Sequence, residues 1–369
     1  MSEENNNEVM MPNPEELIVS SSPHIHLKTH DINKIMLWVI LSLMPAAGAG
    51  VYFFGMDALK VMLLCIVFCV GFEALWCKIA GNPVLGTIKD LSAVLTGLLL
   101  AMNLSAGVPW WICLVGAFLA ICLGKQVFGG LGSNPFNPAL VARVGLLIAF
   151  PKFMTTWVPT RMMTGDYGKA FMNADGMTCA TPLGVVKTAE EVVAAGGYSA
   201  MEAGHMKFGE MISNESFWNY FTGNMGGCLG ETSALALLIG GLFLIAMKLI
   251  KWQVPFAYIG TVAVFTGIAN AISPTLTPEA VFHIITGGLM LGAFFMATDM
   301  VTSPMTTIGA VIFGIGCGVI TSMIRIWGNY PEGVSFSILI MNALVPLIDR
   351  FSYRLPFGYK AVEKGEATC

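Results

Sequence analysis

The sequence predicts an all-α polytopic membrane protein of about ten transmembrane helices, and three observations predict it. Of 369 residues, 55% are hydrophobic and only 11% charged, with a mean hydropathy of +0.72. Soluble domains carry about 25% charged residues, so this chain has too few charges to cover a water-facing surface. Apolar runs recur at spanning length along most of the chain. A single polar stretch, residues 151–230, leaves five such runs on either side.

A hydrocarbon core about 30 Å thick takes roughly 20 residues of helix. Residues 34–54, 58–80, 90–104, 108–125 and 137–150 meet that need in the first half, 34–150. Residues 231–250, 254–273, 279–297, 304–325 and 334–351 do so in the second, 231–351. The third and fifth runs are short, with Gly/Pro-rich ends, and short or interrupted segments commonly line a site. Residues 1–33 and 352–369 read as polar tails; the acidic start, through residue 21, reads as mobile and lacks the apolar core of a signal peptide.

Lysine and arginine in short loops set orientation. With the N-terminus inside, Lys28, Lys34, Lys78, Lys89, Lys125, Lys248, Lys251, Arg350, Arg354, Lys360 and Lys364 collect on the inner side. The outer short loops hold Lys60 and Arg325. Both termini are expected to be cytoplasmic and residues 151–230 extracytoplasmic.

The halves resemble one another. Val94-Leu95-Thr96-Gly97-Leu98 is similar to Ile284-Ile285-Thr286-Gly287-Gly288, and Gly132-Ser133-Asn134-Pro135 to Gly328-Asn329-Tyr330-Pro331. A five-helix unit crosses an odd number of times, so its second copy is inverted, an arrangement that builds a central site.

A net charge of −4 and a pI near 5.7 leave no basic footprint for nucleic acid. Nine cysteines form no CxxC pair or Cys/His cluster, so they read as small apolar packing groups, with no zinc or iron–sulfur site expected.

Within the long polar stretch, Asp175-Gly176-Met177-Thr178-Cys179-Ala180-Thr181-Pro182 stands out. Pro182 biases Thr181 towards an extended backbone, which predicts a hydroxyl on an exposed strand or turn; taken alone, this is a surface loop. Asn134 and Asn137, in a run broken by Pro135 and Pro138, read as ligand-binding amides or as helix caps. Ionisable groups inside a membrane default to functional hypotheses. Glu73 lies in the second run; Asp299 follows the eighth beside Thr298, Thr302 and Ser303, oxygen donors suited to a hard cation. Asp349 ends the tenth. These three are candidates for an ion pathway, with capping or anchoring as the alternative. Arg143 either neutralises a carboxylate or another anion, or snorkels to the inner face. His24 and His26 suit a cytoplasmic membrane surface or subunit contact, Trp110 and Trp111 interfacial anchors; His205 and His283 show no partner.

The Thr181 stretch resembles the Asp-Gly-x-Ser/Thr-Gly-Ala-Thr signal at which a flavin transferase esterifies FMN phosphate onto the last threonine. Asp175, Gly176, Thr178, Ala180 and Thr181 match it, and Cys179 stands where that signal has glycine. Ser22-Pro23-His24-Ile25, Leu91–Leu98, Lys125–Ala139, Met296-Ala297-Thr298-Asp299 and Thr302-Ser303-Pro304 resemble the same family in order. That family is RnfD, the D-type component of the Rnf complex, related to NqrB of the sodium-pumping NADH:quinone reductase. The resemblance implies a bacterial inner-membrane subunit of a ferredoxin:NAD⁺ oxidoreductase coupled to Na⁺ or H⁺ translocation. It also implies a urea-transporter-like fold, FMN covalently held at Thr181, a non-covalent riboflavin near Asn134 and Asn137, and the A, B, C, E and G components of the Rnf complex as partners. A stand-alone channel or transporter and a purely structural role remain the competing readings; neither needs a flavin signal at Thr181.

Overall fold

The computed structural model describes residues 32–164, 179–194, 214–272, 277–328, 330 and 332–352. Asp175, Gly176, Thr178, His24, His26 and His205, with most of both tails, lie outside the described residues.

Among the described residues, six helices are long and apolar enough to cross a membrane. They are α1 (Ile32–Phe54), α2 (Met56–Ala80), α4 (Trp110–Phe118, continuing through a π turn to Phe128), α8 (Gln253–Ile272), α11 (Thr307–Trp327) and α12 (Val334–Phe351). Shorter apolar helices stand between them: α3 (Ser92–Met102), α5 (Pro138–Ala149) and α7 (Ala234–Ala246). The run expected at 279–297 is broken: α9 (Ala280–Ile285) stops, the chain turns at Gly287 (φ 73°), and α10 (Leu289–Leu291) resumes as a π turn to Met296. The Thr286-Gly287-Gly288 sequence explains the break, because only glycine adopts positive φ without strain. The chain is a multi-pass membrane protein, with exposed Leu, Ile, Val and Phe along its long helices where lipid replaces water.

Two ends follow from the alternation of the helices. One, the Asp299 side, gathers the starts of α1 and α3, residues 124–138, 248–251 and 297–306, and the end of α12. The other, the Thr181 side, gathers the start of α2, residues 103–109 and 150–164, and the end of α11.

The abundant glycines let backbones touch. A Cβ on Gly97 of α3 would lie 2.7 Å from Ile66 Cα of α2, and one on Gly314 of α11 would lie 2.8 Å from Val254 O of α8. Gly318, one turn on from Gly314, is as tight against Thr261 Cβ, at 2.6 Å.

The polar stretch is helical in part. It contains α6 (Pro182–Ala194) and shorter helices at Pro151–Met154, Arg161–Thr164 and Asn214–Thr222. Its last residues enter the bundle: Leu229 N donates to Leu104 O at 3.0 Å and Gly230 N to Met102 O at 2.7 Å. The non-helical end of α3 therefore finds partners in protein, as backbone at membrane depth requires.

Two buried cations also depart from the sequence reading. Lys125 and Arg325 count as loop charges there, but they are 1% and 4% exposed. A long side chain needs partners once buried, and each reaches back into the bundle to find them.

Candidate functional site

On the Thr181 side lies a cavity of about 620 Å³. One wall begins at Cys179, whose N–H donates to Trp157 O at 3.0 Å in an isolated antiparallel bridge. Its sulfur occupies the space that a side chain on Gly226 would need, and burial pushes its thiol pKa up, so it stays a neutral thiol. Two residues on, Thr181 caps α6. Its Oγ1 accepts from Gly184 N at 3.0 Å, its carbonyl accepts from Val185 N at 2.9 Å, and Pro182 takes the first helical position. The hydroxyl is thus not on an exposed strand or turn: Thr181 is 5% exposed, at the cavity wall. Pro182 does force a non-helical backbone at Thr181, but the helix it starts then folds the hydroxyl inward.

α6 is clamped to the bundle at both levels. Leu183 and Val186 pack with Phe282, and Lys187 Nζ donates to the carbonyls of Arg325 and Ile326 at 3.1 and 2.9 Å. Across the cavity, Arg143 of α5 donates to Asn103 O, pairs with Glu332 Oε2 at 2.8 Å and lies 5.9 Å over the Trp157 ring. Of its two expected roles Arg143 takes the first, neutralising a carboxylate, and it does so on the Thr181 side instead of snorkelling to the other face.

These residues fit a phosphate ester. An anion on Thr181 Oγ1 would sit at the N-terminus of a 13-residue helix, the favoured end for negative charge, with the Arg143 and Lys187 side chains lining the same cavity. The volume falls within the roughly 300–1,000 Å³ usual for small-molecule sites.

Behind Glu332, Cys228 and Glu231 bring a sulfur and a carboxylate oxygen to within 4.8 Å of each other and of a Glu332 oxygen. Sequence reading missed this group. Glu231 fell on the first residue of a predicted span and Glu332 just before another, where an acid reads as an end charge. The signal was the Pro-Glu-Gly sequence that continues the Gly-Asn-Tyr-Pro match.

On the Asp299 side a second pocket, about 120 Å³, is lined by Ser92, Lys125, Asn134, Asn137 and Asp299. Asn137 caps α5, its Oδ1 accepting from Ala139 N at 3.1 Å, while its Nδ2 donates to Met296 O at 3.3 Å; Asn134 Nδ2 bonds Phe136 O at 3.0 Å. Both side-chain nitrogens are spent on backbone carbonyls.

Of the ion-pathway candidates, Glu73 is fully buried and already holds a cation of the chain: Lys125 Nζ lies 2.6 Å from its Oε1. Lys125 also donates to Ser92 Oγ at 2.6 Å. Asp299 accepts from Thr302 Oγ1 at 3.3 Å and faces the small pocket. Asp349 accepts from Met305 N at 3.1 Å and ties α12 to the loop before α11. His283 is buried, with neither ring nitrogen partnered among the described residues. Trp110 is 59% exposed at the start of α4, as an interfacial anchor would be, whereas Trp111 stacks edge-on against Phe150 and Phe153.

Comparison with known proteins agrees with this architecture. Over 94% of its length the chain is 43% identical to the D component of the Na⁺-translocating ferredoxin:NAD⁺ oxidoreductase complex of Acetobacterium woodii, covering 97% of that protein. It is 43% identical to the D component of the proton-translocating ferredoxin:NAD⁺ oxidoreductase complex of Clostridium ljungdahlii, over 92% of this chain and 96% of the relative. It is 41% identical to the D component of the ion-translocating oxidoreductase complex of Stutzerimonas stutzeri, over 89% and 93%. The model of the NQR2, RnfD, RnfE family matches residues 18–358, a stretch containing the helices, the Thr181 cavity and the buried Lys125, Arg143 and Arg325; the chain belongs to that family.

Proposed function

We propose that this protein is the membrane flavoprotein component of an Rnf-type ferredoxin:NAD⁺ oxidoreductase, holding FMN by a phosphoester at Thr181. The observation that carries the reading is the Thr181 hydroxyl at the N-terminus of α6, in a cavity lined by Arg143 and Lys187. When attached there, the flavin supplies the electron chemistry. The chain's own part is to hold the phosphate at a helix end, set a positive potential and bound the cavity with Trp157 and Tyr330. A covalent bond keeps a charged, soluble group at the site much as a tether raises effective concentration.

Electron flow is coupled in this reading to Na⁺ or H⁺ transport, with the A, B, C, E and G components of the complex as partners and a flavin transferase for maturation. Relatives named for Na⁺ and for protons are equally similar, at 43% identity each, so likeness does not choose the ion. Asp299, which faces a pocket and hydroxyls, is the best placed of the ion-pathway carboxylates.

Ten crossings as two inverted five-helix repeats, in the urea-transporter manner, complete the proposal. Lys125 and Arg325 support it. Lys125 anchors the start of α3 on the Asp299 side through Ser92, and Arg325 anchors α9 on the Thr181 side through the carbonyls of His283 and Thr286. Exposed Lys34, Lys78, Lys89, Lys248 and Lys251 on the Asp299 side support that side as cytoplasmic, in a bacterial inner membrane.

Mass spectrometry of the peptide containing residue 181, from chain matured with and without the transferase, tests the flavin assignment. Transferase-dependent addition of one FMN less water is expected, and an unmodified peptide after maturation removes the flavin role.

A further inference from the structure

We propose that Glu231 and Glu332 hold one proton between them and form the proton-exchange site of the Thr181 cavity. The two carboxyls lie on separate segments, Glu231 before α7 and Glu332 before α12, and meet with oxygens within 4.8 Å, together with the Cys228 sulfur. Glu231 is 6% exposed and the Glu332 side chain 16%.

The balance of charge calls for the proton. Four charged or titratable groups face Glu231: Arg143 from α5, Cys228 from its own segment, Glu332, and Arg325 from α11. Arg143 gives its short contact to Glu332 at 2.8 Å and another to Asn103 O. The Arg325 hydrogen bonds go to the carbonyls of His283 and Thr286, across the Gly287-Gly288 turn from Glu231. One directly paired guanidinium therefore serves two carboxyls, and two anions this close in a poorly solvated site do not both stay ionised. The Cys228 thiol donates to Asn103 O at 3.2 Å, which leaves Glu332 as the carboxyl beside Glu231. Carboxylates only accept hydrogen bonds, so the two carboxyls could bond one another only with a proton between them.

Position gives the pair its role. Glu231 is packed between Gly227 and Gly288: a Cβ added to Gly227 would meet its Oε2 at 3.0 Å, and one added to Gly288 its Oε1 at 3.5 Å. Glu332 lines the cavity. In exchange, the O–H bond on Glu231 breaks as one forms on Glu332, and Glu332 gives its proton to a cavity water as a hydronium there returns one to the pair; no electrons move. The pair consists of the chain's own residues and stands whether or not Thr181 carries a flavin.

Infrared spectroscopy of the full-length chain, purified in its membrane complex and carrying carbon-isotope-labelled glutamate, tests this. A protonated glutamate carbonyl band is expected at neutral pH, shifted in D₂O and persisting well above the ordinary carboxylate titration range. It is expected unchanged in Thr181→Val, which separates this inference from the flavin reading. It is expected lost in Glu231→Gln, and equally in Glu332→Gln, where the freed Arg143 pairs with an ionised Glu231. The wild-type titration stands alone if either variant misfolds. No such band in the wild-type protein, or a band surviving either folded variant, overturns the proposal.

Discussion

Lys125 Nζ lies 2.6 Å from Glu73 Oε1 in the interior of the bundle, joining the end of α4 to the middle of α2. The pair is 2% and 0% exposed, and Ser92 Oγ, itself bonded to Asp90 at 2.6 Å, takes another of the lysine's protons. Breaking a buried pair from one side leaves an uncompensated charge, which costs about 3–5 kcal/mol. Lys125→Met is therefore expected to lower the unfolding temperature in detergent sharply. Glu73→Gln with Lys125→Met is expected to recover most of the loss. Equal destabilisation by the single and double variants would show that the two charges are not coupled.

Helix contact through glycine gives a second prediction. Gly97→Ala puts a methyl 2.7 Å from the Ile66 backbone, where neither partner yields easily, and overpacking of this kind costs about 1–3 kcal/mol. Gly260→Ala, in α8 with no atom within 4 Å of its added Cβ, is the matched control and is expected to be neutral. Thermal unfolding of the two variants decides whether close packing of α3 on α2 is as tight as described.

Thr181 has two roles that substitution separates. Thr181→Ser keeps a hydroxyl that caps α6 and is expected to retain attached FMN. Thr181→Ala removes both, with a capping loss of about 1 kcal/mol and complete loss of covalent flavin, read as fluorescence of the band on a denaturing gel. Retained fluorescence in Thr181→Ala would falsify the assignment of the attachment atom.

Asp299 and Asp349 differ in what they face. Asp299→Asn is expected to slow ion uptake into vesicles severalfold while leaving the flavin in place, because its carboxylate borders a pocket on the opposite side from Thr181. Asp349→Asn, which alters only an acceptor for Met305 N–H, is expected to transport nearly as the wild type does. Equal rates for Asp299→Asn and wild type would remove Asp299 from the pathway.

Much of this was legible because hydropathy is local. Starts and ends of α1, α2, α8, α11 and α12 fall within a few residues of their predicted runs, since a long apolar run has few alternatives to a buried helix in lipid. The α3 and α5 runs read as short, and they are short. Other features were not legible. The break at Thr286–Gly288 hides inside a continuous apolar run, where a glycine pair does not say whether the chain packs or turns. Lys125 and Arg325 read as loop charges because each stands next to a loop; only the acid or carbonyls supplied by distant helices make their burial tolerable. Thr181 was singled out by its neighbours in sequence, but its inward orientation depends on Lys187 and Leu183 reaching α11 and α9.

By itself the sequence determined that the chain is a multi-pass helical protein and marked Thr181 as its most distinctive hydroxyl, because lipid burial and a short motif are properties of contiguous residues. Tertiary structure alone decided which charges meet: Glu73 with Lys125, Arg143 with Glu332, and Glu332 with Glu231. These pairs join residues between 52 and 189 positions apart. A buried charge is tolerated only where another group arrives to compensate it, and that arrival is a consequence of packing.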